Sequence, residues 1–246
     1  MATRPSPASG RGWCPFGLTD SSFAQVFSLT GARLSLQPSV QVRYGSKPGV
    51  LRLTVGDYDT DNKDVYEVNA DVSRIVVHRG YDPNNNDILA SANNIALLKL
   101  THDVTLQESC LQPVCLPRNG YFPNTYDRCF IAGWGETGGF RNGQLQAVSV
   151  RSVARTTCND FIGSSSGSTI SKDKLCSLPA TDNADACLGD AGGMLVCPEV
   201  SKGQNRFVLM GLIDTFDTNC QGSVRNNNPT IYTNVVSHLD WILRNM

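Results

Sequence analysis

Asp185-Ala-Cys-Leu-Gly-Asp-Ala-Gly-Gly-Met-Leu-Val-Cys197 is the stretch that decides how this sequence is read. A Gly-Asp-Ala-Gly-Gly core lies between two cysteines and leads into Met194–Cys197, a short β-type run. Similar runs occur on either side: Arg74–His78, Ile95–Leu100, Cys129–Ala132, Ala147–Val153, Phe207–Ile213 and Thr230–Val235. Turn signals separate them, with Gly-Tyr-Asp-Pro at 80–83, Gly-Gly at 138–139 and Asn-Asn-Asn-Pro at 226–229. Many short strands with turns between them predict a sandwich or barrel. One helix is expected, at the C-terminus, where Val236, Leu239, Ile242 and Leu243 fall on one face. Asn84–Asn86, 163–168 and Asn226–Asn228 read as polar loops. No internal repeat is visible.

The totals narrow the class. The chain has 246 residues, with 21 basic and 22 acidic side chains. This balance gives no basis for a nucleic-acid or anionic-membrane partner. No apolar run approaches the ~18 residues of a spanning helix. Nine cysteines are scattered without close CxxC pairs. That pattern reads as a disulfide framework formed in an oxidising compartment, with an odd cysteine unpaired or joined to another chain. Residues 1–13, MATRPSPASGRGW, are rich in Pro, Ser and Arg and are expected to be disordered. They lack the apolar segment of a signal peptide, so an extracellular location implies a leader upstream.

Asp185–Cys197 resembles the nucleophile loop of the chymotrypsin/trypsin family. So, in family order, do Asn93-Asn-Ile-Ala-Leu-Leu-Lys-Leu100, Leu111-Gln-Pro-Val-Cys-Leu-Pro117, Cys129-Phe-Ile-Ala-Gly-Trp-Gly135 and the Pro229-Thr-Ile-Tyr232 to Asp240-Trp-Ile242 ending. The resemblance covers about residues 20–246. It implies an all-β fold of two antiparallel six-stranded Greek-key barrels, the first truncated, with a cleft between them and a C-terminal helix. The domain is expected over 14–246, with barrels at about 14–105 and 106–246. It also implies the bridges Cys129–Cys197, Cys158–Cys176 and Cys187–Cys220. Leu34 stands where one cysteine of a further family bridge would be. Cys115 matches a cysteine that ties to an upstream segment in many relatives, and either Cys14 or Cys110 is a candidate partner for it, as is a separate chain.

The resemblance places the catalytic positions at Arg33, Asn94 and Ala191. Acyl transfer needs a hydroxyl, an imidazole to take its proton and a carboxylate to hold that imidazole. Alanine offers no nucleophile. An amide at the carboxylate position favours the wrong tautomer, a loss of ~10⁴ in the type enzyme. The chain's three histidines are His78, His102 and His238, and none precedes Gly56-Asp-Tyr58, where the base belongs. The oxyanion-hole donors, the N–H groups of Gly189 and Ala191, are retained.

Asp185 matches the acidic floor of a trypsin-like pocket, which attracts Lys or Arg. Phe216 and Thr230 stand where the family has pocket glycines, and both side chains are expected to project inward. Asp185 is then a relic specificity residue or, on the preferred reading, a solvated or internally paired carboxylate. Asp190 matches the residue that receives a new N-terminal ammonium in the family. This chain has no Ile-Val-Gly-Gly-type start, so Asp190 is expected to find another cation or to be solvated.

Asp57, Asp59, Asp61, Asp64 and Glu67 crowd one loop, and dense oxygen ligands suit Ca²⁺. The Asp57-to-Glu67 spacing matches the family's calcium loop. That match implies Asp57, Asp64 and Glu67 as carboxylate ligands and Asp59 and Asn62 as carbonyl ligands. The alternative is a charged, solvated hairpin.

These readings point to a non-catalytic, extracellular trypsin-fold homologue that binds a protein, as cofactor or decoy in an immune or proteolytic cascade. The candidate contact loops are 80–92, 136–144, 160–172 and 217–228. Two rivals remain: a protease with residual or unusual activity after basic residues, and an interaction module of a larger secreted protein.

Overall fold

The computed structural model describes residues 23–27, 52–65, 67–82, 84–85, 87, 89–103, 114–121, 128–136, 140, 143–166, 169–181, 185–201, 204–215 and 229–246. The segment 1–13 and the residues Cys14, Arg33, Leu34, Cys110, Phe216 and Cys220 lie outside them.

The second half of the chain closes on itself. Strands β5 (Arg128–Gly133), β6 (Gln146–Val153), β7 (Lys174–Pro179), β8 (Met194–Ser201), β9 (Gln204–Thr215) and β10 (Thr230–Asn234) form a six-stranded barrel. All its pairings are antiparallel, in the order β10-β7-β6-β5-β8-β9. Closure leaves no edge strand to be covered. The first half supplies β1 (Phe23–Phe27), β2 (Arg52–Val55), β3 (Val68–Val77) and β4 (Ala96–Leu100), in a four-stranded sheet ordered β1-β4-β3-β2. Among the described residues this sheet is not closed.

β4 joins the two halves. Successive side chains on a strand face opposite ways. Leu97 therefore enters the barrel core with Ile131, Leu195, Leu212 and Ile213, while Leu98 and Leu100 pack with Leu53, Ala70 and Val72. The turn before β4, Asn93-Asn94, is thereby fixed at the seam between the two cores. Leu195 is 1% exposed, and Leu195→Ala is expected to cost about 2–5 kcal/mol in a urea titration.

The helices depart from expectation. α1 (Arg155–Ser166) was not anticipated, and it runs into the stretch 163–168 read as a loop. Its Thr, Cys, Asn, Asp, Gly and Ser residues are poor helix formers, so propensity gives little signal. Tertiary ties hold it instead. Cys158 is bonded to Cys176 on β7, Ile162 packs against Ile170 and Leu178, and Asn159 Oδ1 accepts the Ile170 N–H at 2.9 Å. The C-terminal turn begins as a 3₁₀ segment, Val236–His238, and continues as α2, Leu239–Asn245. Val236, Leu239 and Ile242 are buried as expected, but Leu243 is 63% exposed. With the 3₁₀ turn advancing the chain by three residues per turn, Leu243 rotates off the buried face.

Candidate functional site

The nucleophile loop lies between β7 and β8. Cys129–Cys197 fixes its exit strand to β5, and Cys187 is also disulfide-bonded, as is Cys115. Gly189 and Gly192 have φ of 98° and 84°, a region that glycine enters without the penalty a Cβ imposes. Ala191 sits between them, its side chain a single methyl. The N–H groups of Gly189 and Ala191 find no acceptor among the described residues.

Asp190 has two backbone partners that sequence reasoning does not name. Its Oδ1 accepts the Gly135 N–H at 2.9 Å and its Oδ2 accepts the Cys187 N–H at 3.0 Å. The carboxyl lies so close to Gly133 and Gly135 that a Cβ on either glycine would collide with it. Burial pushes this carboxyl up from its ordinary pKa, and the two N–H groups oppose that. No ion pair reaches it among the described residues.

Asn94 is wholly buried at the seam. Its Nδ2 donates to Asp214 Oδ1 at 2.7 Å. Asp214 Oδ2 is in turn paired with Lys174 Nζ, and neither side chain of that pair reaches water. Thr233 Oγ1 lies 3.5 Å from the same Asp214 oxygen. Burial pushes Asp214 up, while Lys174 and Asn94 draw it back. The seam therefore carries an amide, a carboxylate and an ammonium in one bonded set. Sequence reasoning singles out Asn94 but neither Asp214 nor Lys174 as its partners. Parity gives no signal for Lys174, because β7 is buried on both faces, with Cys176 and Leu178 packed with Cys158 and Ile162 of α1 and Ser177 bonded to Tyr232.

A second chain of contacts closes the region of Asp185. Thr230, completely buried, donates from Oγ1 to Asp185 Oδ1 at 2.7 Å. The Ala186 N–H donates to the same oxygen at 2.9 Å. Tyr232 exchanges a hydrogen bond with Ser177 at 2.7 Å. Burial foremost, and then the Asp185 charge, pushes the Tyr232 phenol well up. The structure thus gives Asp185 an internal partner and turns Thr230 toward it.

The acidic loop is pinned to the segment before β6. Thr60 N–H donates to Gly143 O at 2.9 Å, Leu145 N–H to Tyr58 O at 2.8 Å, and Trp134 Nε1–H to Tyr58 O at 3.3 Å. Asp64 Oδ2 accepts the Tyr58 and Asp59 N–H groups at 2.6 and 2.9 Å. Asp59 accepts from Asp61 N–H and Asn62 Nδ2 at 3.1 and 3.2 Å. Asp57 Oδ1 is different: it is buried with no hydrogen-bond partner among the described residues. Burial, then Glu67, Asp64 and Asp59, push its carboxyl up. A hard cation at that oxygen answers both features, so the donor chemistry fits Ca²⁺. The side chains are not gathered for it, however: among the described residues no three acidic, His or Cys groups converge closely enough to hold a metal.

The described histidines lie elsewhere. His78 and His238 meet edge-to-face, 5.5 Å between centroids, and His78 also lies 5.1 Å from the Trp241 ring. His238 Nδ1–H donates to Asn234 O at 2.7 Å, and its Nε2 lies 3.6 Å from Asp173. Asp173 Oδ2 accepts the N–H of Asn93, held at φ 59°, at 2.6 Å.

Comparison with known proteins agrees with this architecture. The family described as Trypsin matches residues 42–242. Vitamin K-dependent protein C of Mus musculus is 32% identical over 206 residues, covering 79% of this chain and 41% of the relative. The Rattus norvegicus protein of the same name is 29% identical over 202 residues, covering 78% and 40%. Transmembrane protease serine 11G of Mus musculus is 33% identical over 174 residues, covering 70% and 38%. The chain thus spans about two-fifths of the length of these curated relatives. No helix among the described residues is long and apolar enough to cross a membrane. With the closed barrel, the disulfides and the nucleophile-loop geometry in place, the match over residues 42–242 makes this chain a member of the trypsin family of serine proteases.

Proposed function

We propose that this chain is a non-catalytic member of its family, extracellular, acting by protein binding as a cofactor or decoy in a proteolytic or immune cascade. The observation that carries the reading is the bonded set at the seam. Asn94 donates to Asp214, and Asp214 is held by Lys174. The carboxylate there is already engaged on both oxygens, so it is not available to orient a general base. Ala191 removes the nucleophile independently. Without nucleophile and base, the oxyanion donors alone leave ~10³–10⁴ over water, beneath ordinary turnover. Four disulfide-bonded cysteines in two described bridges, with Cys115 and Cys187 bonded as well, support an oxidising location.

The test is turnover of a broad peptide library by the purified, disulfide-bonded protein, with labelling by a fluorophosphonate probe alongside. The expected result is no cleavage and no labelling. Cleavage after Lys or Arg that follows the protein through purification overturns the reading and restores the residual-protease alternative. Ala191→Ser is expected to leave both measurements at background, because a hydroxyl without a base is not activated.

A further inference from the structure

A cavity of about 280 Å³ opens where β6 hands over to α1, with β7 alongside. Its walls include Val153, Leu175 and Leu195, and its charged lining residues are Arg155, Lys172 and Lys174. No acidic side chain lines it. Lys174 is answered from within by Asp214. Arg155 and Lys172 are exposed, and neither forms an ion pair among the described residues. The one acid between the two lysines, Asp173, is turned to Asn93 and Ser171. The first turn of α1 also carries no acidic residue, so the positive end of the helix dipole adds to the same sign.

We infer that this cavity is a docking site for an acidic peptide segment of a protein partner, with its carboxylates on Arg155 and Lys172 and an aliphatic side chain inside. The inference rests on the proposed reading of the chain as a protein binder and names the kind of partner. Charge complementarity selects the acid, and the Val153, Leu175 and Leu195 walls select a peptide over a sulfated sugar, which has no aliphatic group to bury. The volume, about 280 Å³, lies just below the ~300–1,000 Å³ of ligand pockets, so it takes one or two side chains rather than a folded domain. Rim cations of this kind act on association rate and salt dependence as well as on affinity.

The experiment is fluorescence anisotropy of the intact protein with a short labelled peptide of alternating glutamate and leucine. Saturable binding is expected, weakening with salt and falling about tenfold in the Arg155→Ala/Lys172→Ala double variant, from loss of two exposed charge contacts. Matching peptides with lysine for glutamate, or glycine for leucine, are expected to bind more weakly. No saturable binding, an unchanged double variant, or a heparin oligosaccharide bound more tightly than the glutamate-leucine peptide each overturns the inference. Both replaced side chains are exposed, so circular dichroism is expected to show a native fold. The assay involves no turnover, so its failure leaves the non-catalytic reading standing, and cleavage of the peptide would be seen separately.

Discussion

Asp214 at the seam and Asp57 in the acidic loop are both carboxylates that the fold pushes toward the protonated form, yet their surroundings answer them differently. Asp214 is taken out of water and given an ammonium and an amide in return. Asp57 is only partly withdrawn, and its charged neighbours are Glu67, Asp64 and Asp59, all of its own sign. A buried charge with a fixed partner is a commitment of the whole core: break it and an uncompensated ion remains inside. A half-exposed charge among like charges costs less, since solvent and salt screen it. Its Oδ1 also has no hydrogen-bond partner among the described residues and can take an ion once the loop regroups. The inference is that the first region resists change and the second can adapt to its medium.

The harshest way to break this contrast is Lys174→Met. It leaves Asp214 buried without its cation, and a loss of about 3–5 kcal/mol is expected in urea titrations. Lys174→Met/Asp214→Asn is expected to recover most of that loss, because replacing both ions is often near neutral. A single variant as stable as the parent would show that the pair contributes nothing to the seam.

Restoring a carboxylate comes next. Asn94→Asp sets two carboxylates where a donor and an acceptor now meet at 2.7 Å. Like charges so close raise one pKa by about two units, or on the order of 2–3 kcal/mol at neutral pH. The folded variant then holds a proton that the unfolded chain does not, so its deficit should shrink as pH falls toward 5 and widen as it rises. The variant should gain no peptidase activity. A stable, active Asn94→Asp protein would overturn both the seam argument and the proposed function.

What the sequence disclosed of these two regions differs in kind. The barrel strands were legible because alternation and turn residues are local, and the family motifs sit on them. The acidic loop was legible as composition. The Asn94–Asp214–Lys174 set was not, since its members lie 120 and 40 residues apart and only folding brings them together. The same holds for Thr230 and Asp185: a projection into the pocket was readable, the hydrogen bond that engages the acid was not. α1 was missed because its stability comes from Cys158 and Ile162 in tertiary contact rather than from its residues' helix propensity.

A milder probe titrates the buried imidazole of His238 and the half-buried one of His78. Burial holds His238 below the ordinary imidazole range, with Asn234 and Asp173 opposing; burial and His238 do the same to His78. Below about pH 6.5 the unfolded chain therefore binds more protons at these sites than the folded one, so stability falls as pH drops through that range. Urea midpoints from pH 8 to 5 should show this slope, and His238→Gln should flatten it. Glu199 adds to the acid loss at lower pH. Burial pushes it up, but the Arg118 N–H and the Arg206 and Arg118 side chains hold it below the carboxylate range, a contribution lost as pH falls through its folded value.

The smallest expected effect belongs to Asp57. Its ionised form is disfavoured in the folded chain, so Asp57→Asn should raise stability by a few tenths of a kcal/mol at low salt, with the gain fading as salt is added. Calcium should act in the same direction on the parent alone. A cation bound at the unpartnered Oδ1 removes the repulsion from Glu67, Asp64 and Asp59, and at ten times its Kd it would add about 1.4 kcal/mol, or roughly 3–6 °C in Tm. Because Asp59 and Asp64 already bond the loop's own N–H groups, binding requires the loop to regroup, which favours a weak site. A parent Tm that rises with Ca²⁺ but not with Mg²⁺, and an Asp57→Asn Tm that does not move, would establish the loop as the adaptable region. An unchanged parent Tm would reduce it to a charged hairpin held by its own amides.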